Sequence, residues 1–323
     1  MATIGSSIDI PTRPAASSGA GPMGRAEWAM LLTLALVWGS AFLFIKVAVG
    51  SFEPVTYVWL RLVIAAAALL LVLRVTGKRL RLPLMLWASV GLLALLNNVV
   101  PFILFGWGQR HIASGLAAIL QATTPIFGVL AAHLLTADER ITPARLGGVV
   151  IGFAGVATMI GPQLFADSGN QLVAQIGCLI ASLLYALAGI YARRFKALGV
   201  GPLDLATAQF VAGAVMLAPV ALLVDRPWLG LPTSLAAWGS VAMLALVCSA
   251  FAYILFFRLI ERAGATNSLL VTLLVPPVAI LVGALAFGER LGANQIGGLL
   301  LIAAGLAVID GRLVAPLRRR AAA

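Results

Sequence analysis

Apolar residues fall into long unbroken runs separated by short polar segments, a different pattern from the alternation that marks half-buried elements of a soluble fold. The runs cover about 28–49, 54–74, 83–106, 112–135, 144–161, 172–192, 202–224, 234–257, 265–287 and 293–310. Crossing the hydrocarbon of a bilayer takes about 20 apolar residues in a helix. Only helices and closed barrels satisfy their own backbone there. The pattern therefore predicts an all-α polytopic membrane protein with ten transmembrane helices, joined by short loops so that neighbours pack antiparallel. Residues 1–26, rich in Ala, Ser, Gly and Pro without an apolar core, are expected to be a disordered cytoplasmic tail and not a targeting segment. Residues 312–323 are expected to be a basic cytoplasmic tail.

Composition supports this reading. Of 323 residues, 62% are hydrophobic and only 10% charged, against about 25% charged in a soluble domain; mean hydropathy is +1.06. That excludes a soluble enzyme and a nucleic-acid-binding domain. The net charge of +11 comes from Lys and Arg clustered between the runs. With the N-terminus inside, 17 of the 22 basic residues fall on the cytoplasmic side, which places both termini in the cytoplasm. The expected partners are a small-molecule substrate and membrane lipid, with no nucleic acid. Cys178 and Cys248 each stand alone in an apolar run, offering neither a metal site nor an evident disulfide.

The two halves of the chain echo each other. Gly288-Glu289-Arg290-Leu291 repeats Asp138-Glu139-Arg140-Ile141 at an offset of 150 residues, as do Gly297-Gly298 and Gly147-Gly148, Gly305 and Gly155, Lys196 and Lys46. Pro276 follows Pro125 at 151. Each unit holds five spans. Because five is odd, the second copy enters the membrane from the opposite face, giving two inverted five-helix repeats, 27–161 and 172–311. That is an architecture of secondary transporters, whose sites lie near the midplane between the repeats.

These residues also carry a family resemblance. Leu36-Val37-Trp38-Gly39-Ser40-Ala41-Phe42 with Lys46 and Arg61, then Ala117-Ala118-Ile119-Leu120-Gln121-Ala122-Thr123-Thr124-Pro125 and Asp138-Glu139-Arg140, resemble the EamA domain. In the second half Tyr253, Arg258-Leu259-Ile260, Gly264-Ala265-Thr266-Asn267, Pro276 and Gly288-Glu289-Arg290 match it again. The chain is thus similar to bacterial members of the drug/metabolite transporter superfamily. The resemblance implies alternating access and export of amino acids or related small metabolites across the inner membrane. No cofactor is expected.

An amide in hydrocarbon needs a partner or a function, because leaving it unbonded costs several kcal/mol. Gln121 and Thr124 share a face of the fourth span beside Pro125, with Thr272 and Pro276 as their counterparts in the ninth. Asn97 and Asn98 are adjacent in the third span, so at most one is expected to face a cavity squarely. Gln209, Trp38, Tyr185 and Tyr253 complete the candidate substrate-binding set. Lys46 and Arg61 are candidate gate or vestibule residues, Arg61 either snorkelling to headgroups or facing a carboxylate from Glu53 or from substrate. Glu139 and Glu289 are expected to anchor helix ends, with Pro125 and Pro276 structural. Gly148, Gly152 and Gly155 form a small-residue stripe, read as packing within a monomer, with a dimer seam as the alternative. All eleven acids lie in tails, loops or span ends. With no carboxylate at the midplane, a facilitator or an indirectly coupled carrier is expected. The alternatives are a carrier of anionic phosphorylated metabolites or nucleotide sugars, relying on Lys46 and Arg61, and an intramembrane enzyme, for which no catalytic residue or metal ligand set is evident.

Overall fold

The computed structural model describes residues 23–136, 141–164, 169–230, 232–268 and 270–310. Glu139 and nearly all of both tails lie outside these. All regular structure among the described residues is helical. The helices are α1 (Arg25–Val49), α2 (Pro54–Val75), α3 (Leu84–His111), α4 (Ser114–Leu135), α5 (Pro143–Leu164), α6 (Gly169–Ala197), α7 (Pro202–Asp225), α8 (Leu235–Ala263), α9 (Val271–Phe287) and α10 (Ala293–Asp310). The first eight contain stretches long and apolar enough to cross a membrane, and α9 and α10 are shorter apolar helices. A short helical turn, Ala265–Ser268, precedes α9.

Local chemistry explains the starts. Pro54 and Pro202 open α2 and α7 after extended Glu53 and Gly201, where a missing N–H costs nothing. Ser234 caps α8 by accepting from the Ala237 amide at 3.3 Å. The ends differ from the sequence expectation. α3, α6 and α8 run on to His111, Ala197 and Ala263, five or six residues beyond their apolar runs. Arg, Lys and Glu are good helix formers, so hydropathy marks where hydrocarbon ends and not where the helix ends. Arg258 and Arg262 accordingly lie on α8 and not in a loop.

Two interruptions matter for the site. α4 breaks at Ala122–Thr123, because Pro125 has no N–H for the Gln121 carbonyl. The freed carbonyls find other donors: Thr124 Oγ1 donates to Gln121 O at 2.7 Å, and Thr123 Oγ1 (2.6 Å) and Ser182 Oγ (3.0 Å) donate to Leu120 O. Pro276 and Pro277 instead sit inside a continuous α9. The second interruption is a wide π-helical turn in each of two helices, Leu95–Val99 in α3 and Leu246–Phe251 in α8.

α1 packs on α9 and α8, and α6 packs on α4 and α3; α2 lies against α7 and α5 against α10. The glycine stripe of α5 is consumed in the last pair: a Cβ at Gly148 would stand 2.6 Å from the Gly305 carbonyl, and one at Gly155 would stand 2.7 Å from that of Gly298. Large apolar side chains such as Leu71, Leu285 and Leu300 cover the outside, as a surface facing hydrocarbon requires.

Candidate functional site

The π-helical turn of α3 carries Asn97 toward the second half of the chain. Its Nδ2 donates to Gln209 Oε1 on α7 at 3.0 Å and to the Tyr253 hydroxyl on α8 at 3.1 Å. Phe210 and Phe257 meet the Tyr253 ring edge-on, with centroids 5.4 and 6.0 Å away. Three of the sequence candidates thus form one cluster across three helices. Asn98 is fully buried beside Tyr253 without a hydrogen bond of good geometry. The wide turn, not a regular 100° step, sets the two asparagines' directions.

Arg61 does not snorkel. It is 5% exposed, at the junction of α2, α3 and α8. Its Nε donates to Ser249 Oγ at 2.9 Å, and its guanidinium carbon lies 3.8 Å from the centre of the Phe102 ring. The Ser249 hydroxyl in turn donates to Leu244 O at 2.8 Å, so its lone pairs are free to accept from Arg61. Tyr57, one turn earlier on α2, donates to Phe102 O at 2.6 Å. It passes where a Cβ on Gly106 would collide with its ring. Glu53 is not the counterion, because it pairs with Arg110 at 3.0 Å. Ser249 and Phe102 escape sequence reading, since a lone serine or phenylalanine in an apolar run is unremarkable.

Trp38 reaches the same π-helical turn of α8, donating from Nε1 to Cys248 O at 3.2 Å and packing on Phe256. Cys248 Sγ donates to Val37 O at 3.4 Å, and both cysteines are buried and free of any disulfide. Tyr185 stacks on Phe105 with centroids 6.0 Å apart. Gln121 and Thr124 stay apart from the Asn97 cluster: Thr124 serves its own helix, and the half-buried Gln121 amide has no partner among the described residues. Thr272 is half-buried in the first turn of α9.

At one end of the bundle Glu289 crosses from α9 to cap α4. It accepts from the Ser114 amide (2.9 and 3.0 Å), Ser114 Oγ (2.6 Å) and the Gly115 amide (3.4 Å). A carboxylate at a helix N-terminus is favoured by the dipole and the unbonded amides. Lys46 lies 4.0 Å from Glu289 and donates to Ile112 O at 2.9 Å. Gly283 permits the crossing, since a Cβ there would stand 2.6 Å from both Glu289 Oε2 and Ser114 Oγ. At the same end Asp225 accepts from the Thr56 amide and hydroxyl, both at 2.8 Å. Ser114, Arg110 and Asp225 were not expected partners; of the residues at this end the repeated Glu-Arg motif singled out Glu289.

Known proteins resemble the chain over nearly its whole length. The model of the EamA-like transporter family matches residues 27–161 and again 172–310. An uncharacterized inner membrane transporter of Escherichia coli K12, YedA, is 31% identical over 81% of this chain and 83% of its own. A probable terminal-alkyne amino-acid exporter of Streptantibioticus cattleyicolor is 28% identical over 93% and 97%. The uncharacterized transporter YoaV of Bacillus subtilis is 24% identical over 85% and 94%. One crystal structure shares the fold with a TM-score of 0.64 at 19% identity, over 90% of this chain and 99% of that one. A multi-pass helical bundle whose two halves each match the same family model belongs to the EamA-like transporter family.

Proposed function

We propose that the chain exports small polar or amphipathic metabolites, amino acids above all, by alternating access of two inverted five-helix repeats, with both termini in the cytoplasm. The observation that carries this reading is the Asn97–Gln209–Tyr253 cluster, which joins α3 of the first half to α7 and α8 of the second. A neutral group of amide and phenol donors and acceptors between two halves suits a zwitterionic or mixed polar–aromatic solute. The exchange of packing partners supports the repeat: α1 on α9 and α8 becomes α6 on α4 and α3 when every helix is advanced by five, while α2–α7 and α5–α10 map onto themselves. Of the three π-helical turns among the described residues, two begin 151 residues apart, at Leu95 and Leu246, and the third ends α7 at Ala221–Asp225. The name of the Streptantibioticus relative, an amino-acid exporter, adds weight to an amino-acid substrate.

Counterflow in proteoliposomes tests the reading, with pooled amino acids compared with pooled phosphorylated solutes and no ion gradient imposed. Exchange of amino acids alone is expected, and it continues when pH and sodium are equal on both sides because no midplane acid couples them. Exchange of phosphorylated solutes alone would refute the substrate class. A strict requirement for a proton or sodium gradient would refute the facilitator mechanism.

A further inference from the structure

We propose that Arg61 is an anion receptor inside the membrane, taking the carboxylate of the transported solute, with the Asn97 cluster one helical turn away receiving its uncharged or ammonium end. The inference deepens the transport reading above and rests on it. Arg61 is 5% exposed, yet among the described residues no carboxylate pairs with it. Glu53 pairs with Arg110, Asp225 accepts from Thr56, and Glu289 is taken by Ser114 and Lys46. A guanidinium stays protonated in a protein, and an ionised side chain held within transmembrane segments marks a functional site by default.

The protein already occupies part of the group. Nε is bonded to Ser249 and one face rests on Phe102. Among the described residues the two Nη nitrogens have no hydrogen-bond partner. That leaves the forked edge, which matches a carboxylate in two parallel hydrogen bonds. Ser249 and Phe102 hold the fork in one plane, so little ordering remains to be done when an anion arrives.

The second subsite follows from helix geometry. Phe102 lies five residues from Asn97 on α3, through its wide turn, and Ser249 lies four from Tyr253 on α8. α3 and α8 run antiparallel as neighbours of the same site, and on both the step leads from the Arg61 fork to the Asn97–Tyr253–Gln209 cluster. One turn rises about 5.4 Å. A small solute with its carboxylate on Arg61 therefore presents its other polar end to the amides.

Thermal unfolding of the purified protein in detergent tests the receptor without requiring transport. The probes are a pool of neutral protein amino acids, the pool of their amides, which lack the carboxylate, and inorganic phosphate. Amino acids are expected to raise the unfolding midpoint of the wild-type protein, and amides to leave it unchanged. Arg61→Gln loses the amino-acid shift, while Arg61→Lys, which keeps the charge but not the fork, retains part of it. In counterflow Arg61→Gln is expected to lower exchange about tenfold or more, the scale of one lost charge-assisted interaction. The acid-against-amide comparison uses only wild-type protein, so it stands even where Arg61→Gln does not fold. Amides as effective as acids, stabilisation by phosphate alone, or no carboxylate-dependent shift would each overturn the receptor. An Arg61-dependent shift without any counterflow would remove the transport reading and leave the receptor standing.

Discussion

Asn97 gives both of its assigned hydrogen bonds through one nitrogen, to Gln209 and to Tyr253, which makes the cluster's members unequal. Tyr253→Phe removes one acceptor and leaves Asn97 bonded to Gln209. An intramembrane hydrogen bond averages about 0.6 kcal/mol, so this variant is expected to unfold near the wild-type midpoint. Asn97→Ala strands both the Gln209 carbonyl and the Tyr253 hydroxyl. Leaving buried polar groups unbonded costs about 1–3 kcal/mol, and the unfolding midpoint in detergent should fall clearly below that of Tyr253→Phe. Equal midpoints would contradict the asymmetry. Polar residues misplaced in apolar runs are what made Asn97, Gln209, Tyr253 and Arg61 legible in the sequence. Ser249 was not legible, because a serine bonds its own helix as readily as anything else. Nor was the pairing of Glu289 with Ser114, since a helix start recruits its cap from a chain segment 175 residues away.

Helix pairs in hydrocarbon are held by close backbone approach more than by apolar burial, and α5 against α10 is the tightest-fitting case by its glycines. A Cβ added at Gly305 would stand 2.5 Å from the Gly148 carbonyl and 2.8 Å from the Gly152 amide. Backbone cannot turn aside as a side chain can. Gly305→Ala is therefore expected to destabilise by about 1–3 kcal/mol, the usual cost of overpacking. Gly147→Ala is its control, one residue from the contact with nothing within 4 Å of the new Cβ. It should be neutral or stabilising by about 0.5–1 kcal/mol, because alanine is the better helix former. Unfolding midpoints that ranked the two variants the other way would overturn this packing account. The stripe itself was legible, and so were most helix starts, although α9 begins at Val271 and not at 265. The π-helical turns were not, because neither Leu95-Leu96-Asn97-Asn98-Val99 nor its counterpart in α8 carries a local signal for an extra residue per turn. Such turns are set by what surrounds them, here Arg61 and Trp38 bonding atoms of the α8 turn.

At the scale of the whole molecule, the alternating access proposed above requires two ends that close in turn. The matching of both halves to one family was legible because their motifs recur 150 residues apart, but which end is favoured to close was not, since that is a balance between two arrangements of the same sequence. The described arrangement carries cross-helix bonds at the Lys46 end: Glu289 bridges the end of α9 to α4, Lys46 bridges α1 to the Ile112 carbonyl, and Asp225 bridges α7 to α2. If these bonds hold one of two states, weakening them moves the population toward the other without touching the substrate residues. Glu289→Gln keeps the size of the side chain and removes its charge. A charge-assisted hydrogen bond contributes about 1.5–3 kcal/mol, so the open population should rise about tenfold or more. Ile112 is buried at this end, as are Cys178 and Cys248. A thiol introduced by Ile112→Cys in purified protein is therefore expected to react slowly with a bulky maleimide. Adding Glu289→Gln should accelerate that reaction about tenfold while the native cysteines stay protected. An unchanged rate would mean that Glu289 only caps a helix, and that the closed end is held by the packing of α1 on α9 instead.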